Sequence, residues 1–444
     1  MKFISNSEEL AHYLNINIPI SRDIKEISID SRNIIDSSLF ICIRGNNFDG
    51  NDFKNDALER GASIIITDRK DDTDIHKNIF YVPDSILALK EISKKILKEF
   101  DGNIIGITGS NGKTTTTKIL KKTLLSASGT INNFNNEIGM PLSIMNADRY
   151  SKHIILEMGA AKMGDIDYLS SIAKPNIGVI TNIGNSHLEK LKNLDGVLKV
   201  KSELVGNIRK NGYLIVPGNN KKYLSYWKSI REDIKLITVG LDDTCDIYAS
   251  EIASTLTTTF TIISKKFDIK LDIKTDLLGK HNITNILFCY AVSFLVKNSN
   301  NYFKKKIEFI DQHTTRLNKI KWINNSILID DSYNANPDSV KKSIDLLSSF
   351  EGRKILILGD MLELGLKSRK FHEDVGLLAS RKGIDIFVGY GKYTKFSLDS
   401  FSNQGYFFEN EADLKHFINN NVKSNDVILI KGSRGMKMER FIDV

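Results

Sequence analysis

Lys113 and Thr114 close a glycine-rich turn in the stretch IIGITGSNGKTTTTKIL, Ile104 to Leu120. A β-branched run leads into the turn and a helix pattern leads out of it, the order that phosphate loops require. Gly109 and Gly112 allow a tight turn and a close approach of backbone to an anion. Lys113 can counter the charge of β- and γ-phosphates, Thr114 offers a hydroxyl to Mg²⁺, and the first amides of the following helix face the same anion. The loop departs from the usual spacing. Ile107 stands where the first glycine is expected, flanked by Gly106 and Gly109. A chance Gly-Lys-Thr turn would lack the strand before it and the helix after it.

Other polar residues stand just past predicted strands. Glu157 ends the run HIILEMG and His187 follows NIGVITNIG. In open parallel sheets ligands sit beyond the carboxyl ends of strands, so these two side chains and the loop lysine can converge. Glutamate oxygen and imidazole nitrogen both suit a divalent metal. Each also suits an ordinary role, as a helix-cap neighbour or a hydrogen-bonded loop residue. Lys201 lies in DGVLKVKSELVGNI, a predicted helix whose Val197, Lys201 and Leu204 share one face. A lysine on an apolar face snorkels, pairs or loses its charge, and a neutral amine is reactive. From this segment alone, snorkelling is the simpler account.

The last third repeats the pattern. In IDDSYNANPDS, Asp330 and Asp331 can accept from ribose hydroxyls or bind a metal, and Pro337-Asp338-Ser339 marks a helix start. LILGDMLELG follows as strand and acidic loop. In ILIKGSRGMKMER, Lys431, Ser433 and Arg434 suit a carboxylate or phosphate.

The elements that must position these groups are legible from pattern. Strands alternate with helices through most of the 444 residues, which predicts parallel sheets covered by helices. The expected organisation is three α/β domains: a small one over 1–83, a central one over 84–306 and a third over 307–444. A β-rich insert, TLTTTFTIISKKFDIKLDI, precedes the apolar helix NITNILFCYAVSFLV, and the polar stretch KNSNNYFKKKIE reads as a linker. Hydrophobic residues make up 41% and charged residues 26%, ordinary values for a soluble globular chain. No apolar run reaches the ~18 residues of a membrane span, and the N-terminus lacks a signal-peptide core. Cys42, Cys245 and Cys289 show no disulfide or metal spacing, which fits a reducing cytosol. The net charge of +8 comes from dispersed lysines without a nucleic-acid module, which favours small anionic ligands; lysine as a common surface residue of this composition is the alternative account.

With these pieces placed, nearly the whole chain resembles the Mur ligase family, most closely its branch that joins D-alanyl-D-alanine to UDP-N-acetylmuramoyl-tripeptide. GITGSNGKTTT is similar to the family's ATP loop, displaced glycine included. NFNNEIGMP, EMGA, NIGNSH, KVKSE and GKHNITN resemble further family segments, and DSYNANP and GDMLELG are the most specific to the branch. No Asp-Asn-Pro-Arg segment of the diaminopimelate-adding branch is present. The resemblance implies an N-terminal UDP-substrate domain, a central P-loop ATPase domain with a mostly parallel sheet, and a C-terminal Rossmann-like domain. It implies an ADP-forming peptide ligase acting through an acyl phosphate in the cytoplasm. Such an enzyme is expected as a monomer using ATP and Mg²⁺, with no nucleic acid and no membrane insertion.

Residue by residue, the resemblance gives Gly109, Ser110, Asn111, Gly112, Lys113, Thr114 and Thr115 to the ATP phosphates. Asn282, Asn285, Arg316, Asp331, Tyr333 and Asn334 go to the rest of the nucleotide. Thr114 goes to one Mg²⁺, and Glu157, His187 and N-carboxylated Lys201 to a second. Lys113, Glu157, His187 and Lys201 are its catalytic set. Ser31, Arg32, Arg44, Asn135, Asn136, Asn336, Lys431 and Arg434 are expected against the other substrates. Three positions depart from the family pattern: Asn47, Asn51 and Thr315. The alternatives are another ligase of the same superfamily, third-residue-adding or folylpolyglutamate in type, and a nucleotide switch without ligation.

Overall fold

The structure is a computed structural model that describes residues 1–45, 47–74, 76–254, 257–310 and 318–443. Arg316 and Thr315 therefore lie outside the described residues. Three sheets organise the described chain. The first has four parallel strands, Glu26–Ser28, Ser38–Ile41, Ala62–Thr67 and Ile79–Tyr81. The second has nine strands, with Asn103–Thr108 between Ile177–Ile180 and His153–Glu157. The chain passes to one side of Asn103–Thr108 and then to the other, which opens a crevice at the carboxyl end of that strand. The β-rich insert supplies the antiparallel edge of this sheet, Ile247–Ser254, Thr258–Ser264 and Ile269–Thr275. The third sheet has six strands and again leaves a crevice. Val427–Lys431 is inserted between Ile327–Asp331 and Lys354–Gly359, all parallel.

The helix Ser85–Glu99 joins the first two sheets physically. Asp84 caps it by accepting from the Leu87 N–H at 2.8 Å. Its buried Leu89, Ile92, Ile96 and Leu97 recur at helical spacing. That stripe packs into one cluster holding Leu10, Ile41 and Ile66 from the first sheet's side, and Ile104, Leu142 and Met145 from the second. Each such fully buried side chain contributes about 1.5–3 kcal/mol of transfer free energy. The first two units thus share a continuous core. The six-stranded sheet is packed mainly by clusters of its own residues.

The expected linker is not a linker. Asn300–Glu308 is a helix capped by Ser299, and Phe303 and Ile307, four residues apart, are buried in the core of the central sheet. Its Lys and Asn residues cover the solvent side, so composition hid a two-residue apolar face. A boundary at 306/307 passes through its last turn.

Candidate active site

The phosphate loop is shaped by its glycines. Gly109 has φ +142°, and a Cβ there would lie 2.1 Å from Thr181 Oγ1. Gly112 has φ +82° and a Cβ would meet Asn285 Oδ1 at 2.6 Å. Both conditions exclude a side chain. Gly106, inside the strand, instead makes room for Met158, Pro175 and Leu204. The displaced glycine therefore serves packing, and Gly109 makes the turn. Gly112 precedes the helix Lys113–Thr123 and gives it no side-chain cap, so no capping side chain stands between the helix N-terminus and an anion. Lys113 folds back to donate to the Gly109 carbonyl at 2.8 Å.

Beside the loop, Thr114 Oγ1 donates to Glu157 Oε1 at 3.1 Å, and Asn135 Nδ2 donates to the same oxygen at 2.7 Å. Glu157 is buried, and its Oε2 has no hydrogen-bond partner. A buried carboxylate oxygen left unsatisfied is costly, and a divalent cation held between Glu157 and Thr114 would satisfy it. The residues present therefore fit Mg²⁺. Among the described residues no three His, Cys, Asp or Glu side chains gather to hold a metal on their own.

Lys201 is 1% exposed. Burial, with the charge of Lys113 second, pushes its amine down to about 7, against opposing pulls from Asp165 and Glu203. Its apolar helix face is thus a buried one, and it does not snorkel. A substantially neutral amine near neutral pH is the form that can take up CO₂ as a carbamate. His187 sits at φ +51° before the short helix Leu188–Leu191, and its Nδ1 is 2.6 Å from Glu363 Oε2. That hydrogen bond holds the Glu363 carboxyl below its usual value. Glu157 and His187 line one cavity; Lys201 does not reach its wall.

That cavity, of about 2280 Å³, lies between the carboxyl ends of the second and third sheets. The phosphate loop and Thr115 form one side. Asn282 and Asn285 lie at the start of the helix Lys280–Leu295, with Asn285 Nδ2 donating to Asn282 Oδ1 at 3.2 Å. Beside them, burial and the cations Lys342 and Lys431 push His281 down to about 3. Asp331, Tyr333, Asn334, Asn336 and Arg434 line the far side, and the Arg434 guanidinium stands 5.5 Å from the Tyr333 ring centroid. Asn135 and Asn136 also line the cavity, Asn136 Oδ1 accepting from the Gly139 N–H at 2.8 Å.

Two expected substrate contacts line the cavity and are also engaged within the protein. Lys431, 2% exposed, donates to Asp331 Oδ2 at 2.6 Å and to the Asn334 carbonyl at 2.9 Å. Ser343 Oγ donates to the same Asp331 oxygen at 2.6 Å. Lys431 is therefore not a free cation for a substrate; with Ser343 it orients Asp331. Asn336 caps the helix Pro337–Ser348 and bonds to Asn111. Ser31 and Arg32, in the 3-10 turn Ser31–Asn33, and Arg44, beyond the strand Ser38–Ile41, lie in connections of the four-stranded sheet and are not brought to this cavity. Ser31 is buried, Arg32 is held by Asp30 at 2.7 Å and Arg44 pairs with Asp68 at 3.1 Å. Asn51, one of the departures, is fully buried, donating to Asp49 and Asp68 and accepting from Thr67. Sequence reading missed the roles of Thr181, Asn182, Asn185, Asp338 and Glu363. Their only signal was a place beside motifs, and their partners are far away in the chain.

A glycine-shaped phosphate loop facing a second Rossmann-like sheet across a wide cleft defines an ATP-dependent enzyme of the P-loop α/β class. Three family models match in order: "Mur ligase family, catalytic domain" over 23–100, "Mur ligase middle domain" over 107–293 and "Mur ligase, glutamate ligase domain" over 315–434. The chain belongs to the Mur ligase family. It is 33% identical to the UDP-N-acetylmuramoyl-tripeptide–D-alanyl-D-alanine ligase of Bacillus subtilis (strain 168), across 94% of this chain and 92% of that one. The ligase of the same name from Escherichia coli (strain K12) is 30% identical over 94% and 92%. Among solved structures, MurF from Acinetobacter baumannii superposes with a TM-score of 0.88 at 26% identity, covering 98% and 97%. MurF ligase from Thermotoga maritima in complex with ADP gives 0.82 at 26% identity over 94% and 96%.

Proposed function

We propose that the chain adds D-alanyl-D-alanine to UDP-N-acetylmuramoyl-tripeptide with ATP, releasing ADP and phosphate and forming the UDP-muramoyl-pentapeptide precursor of peptidoglycan. The observation that carries this reading is the single cleft in which the phosphate loop faces Asp331, Asn334 and Arg434. Relatives of the same ligase activity match over nearly the full length.

A carboxylate is a poor electrophile and must be activated first. Its oxygen attacks the γ-phosphorus of ATP, the bond to the bridging β–γ oxygen breaks and ADP departs. The acyl phosphate is then attacked by the dipeptide's amine; the C–N bond forms, phosphate leaves and the nitrogen gives up a proton. Lys113 and the loop amides spread charge on the transferring phosphoryl group. Asn282, Asn285, Tyr333 and Asn334 hold the rest of the nucleotide, and Asp331, aimed by Lys431 and Ser343, receives the ribose hydroxyls. Arg434, which lines the cleft and pairs with Glu439 at 2.9 Å, is the cation suited to the dipeptide's carboxylate. Ser31, Arg32 and Arg44, in the connections of the first sheet, take the UDP end of the other substrate. Closing the cleft keeps water from the acyl phosphate.

Thr114 would hold one Mg²⁺, and Glu157, which it touches, would serve a second together with His187 and N-carboxylated Lys201. The ions supply positive charge to the phosphate oxygens. No helix among the described residues is long and apolar enough to cross a membrane. A monomer in the cytoplasm, where nucleotide substrates are, fits the reading. The test is ADP release with UDP-muramoyl-tripeptide, varying D-Ala-D-Ala against single amino acids. Dependence on both tripeptide and dipeptide is expected. ADP release that needs no carboxylate acceptor would overturn the ligase reading, and preference for a single amino acid would point to a sibling branch.

A further inference from the structure

The polar contacts from the six-stranded sheet's side reach the two loops that build the phosphate site. Asn336 Nδ2 donates to Asn111 Oδ1 at 2.8 Å, and Asn111 Nδ2 donates back to Asn336 Oδ1 at 3.3 Å. Asp338 Oδ2 accepts from the Asn185 N–H at 2.6 Å, and the Asn185 amide adds longer contacts of 3.3 and 3.4 Å. A Cβ at Gly184 would lie 2.5 Å from Asp338 Oδ2, so the loop approaches with no room to spare. Glu363 makes a third contact, with His187.

The two loops are also stitched to each other. Asn182 receives the Ser110 N–H on its carbonyl at 3.1 Å and the Asn111 N–H on its side chain at 2.8 Å. Thr181 Oγ1 donates to the Asn111 carbonyl at 2.5 Å, and the Gly184 N–H donates to Ser110 Oγ at 3.0 Å. A pull on Asn111 or Asn185 is therefore felt by the whole phosphate cradle. Capping explains only half of Asn336. Its oxygen accepts from the Ser339 N–H at 2.9 Å to close the capping box, but a cap needs no donor, and serine would serve equally well. The amide nitrogen makes the shorter of the two contacts with Asn111, 2.8 Å against 3.3 Å.

We propose that Asn336 and Asp338 are positioning residues for the reaction: through Asn111 and Asn185 they set the phosphate loop, so that its reactive geometry exists only with the C-terminal unit docked. Loop and docking are then thermodynamically linked, and a nucleotide that fills the loop must favour docking by the factor by which docking favours the nucleotide. The activity readout rests on the ligase reading; the docking readout does not.

The test uses the full chain. Asn336→Ser keeps the cap and loses the amide; Asn111→Ala removes the other partner. Asn336→Ser should melt within a few degrees of the parent, while kcat falls about tenfold with the KM for the tripeptide substrate unchanged, the size of a lost coupling between hydrogen-bonded partners. The double variant should be no slower than the slower single. Asp338→Ala should behave alike, and Asp338→Asn, which can still accept from the Asn185 N–H, should recover most of the rate. Small-angle scattering should show ATP compacting the parent and compacting Asn336→Ser less. Parent-like kcat and compaction in Asn336→Ser and Asp338→Ala would overturn the proposal, as would rate losses that multiply in the double variant. A parent that does not ligate would refute the ligase reading, and the scattering comparison would still decide the coupling.

Discussion

Lys201→Met should make the protein more stable and nearly inactive at once. The side chain is 1% exposed, and its proton affinity falls from an ordinary 10.5 to about 7. Each decade of affinity is worth about 1.4 kcal/mol, so holding an ammonium there costs up to about 5 kcal/mol. Structural relaxation and water entry reduce the measurable gain from an apolar isostere to about 1–4 kcal/mol at pH 7. The sign follows from linkage. Between pH 7 and 10.5 the unfolded chain holds a proton on this amine that the folded chain has shed, so parental stability rises with pH across that window. Methionine has no proton to shed, and the rise contributed by this site should vanish. Urea unfolding in CO₂-free buffer at pH 7 and pH 9 measures both quantities. Bicarbonate should stabilise the parent by trapping the proposed carbamate and leave the variant unchanged. Activity should drop at least a hundredfold, the usual scale for removing a charge from a phosphoryl-transfer site. A variant that is less stable at pH 7 and keeps the parental pH slope would refute the burial argument. One with parental turnover would refute the role of the amine.

Three other outcomes are expected. Gly109→Ala places a methyl 2.1 Å from Thr181 Oγ1 at φ +142°, so it should cost about 1–3 kcal/mol in thermal unfolding and raise the KM for ATP sharply. Asp331→Ala strands the buried Lys431 ammonium, which the parent holds at 2.6 Å, and should lose about 3–5 kcal/mol in urea. Adding Lys431→Met should return much of that loss, whereas weakened ATP affinity, read by calorimetry, should persist. Chelation of divalent ions should stop ADP release while circular dichroism keeps its folded signature, because Glu157 is held in place by hydrogen bonds from Thr114 at 3.1 Å and Asn135 at 2.7 Å; loss of the fold on chelation would show a structural metal instead.

Sequence was informative wherever a backbone demand or a short repeat does the selecting. Positive φ at Gly109 and Gly112 admits little but glycine, so the phosphate loop was readable as letters. The apolar face carrying Lys201 was readable because helical periodicity spans only a few residues. The polar strand ends at Glu157, His187 and Asp331 followed from strand length and the rule that parallel sheets bind at their carboxyl ends.

Pairings across long separations were decided only by the tertiary structure. Asn336 meets Asn111 across 225 positions, and Lys431 meets Asp331 across 100. Nothing local says that one asparagine is both cap and latch, or that a lysine after a strand is spent on an aspartate. The same holds for His187 against Glu363, and for the helix Asn300–Glu308, whose few apolar atoms mattered only once a core stood beside them. Local sequence determined which chemistries were available, because φ, ψ and side-chain type are properties of a few residues. The sheets decided which of those groups face each other, because burial and hydrogen bonding are settled between segments that only the folded chain brings within 3 Å of each other.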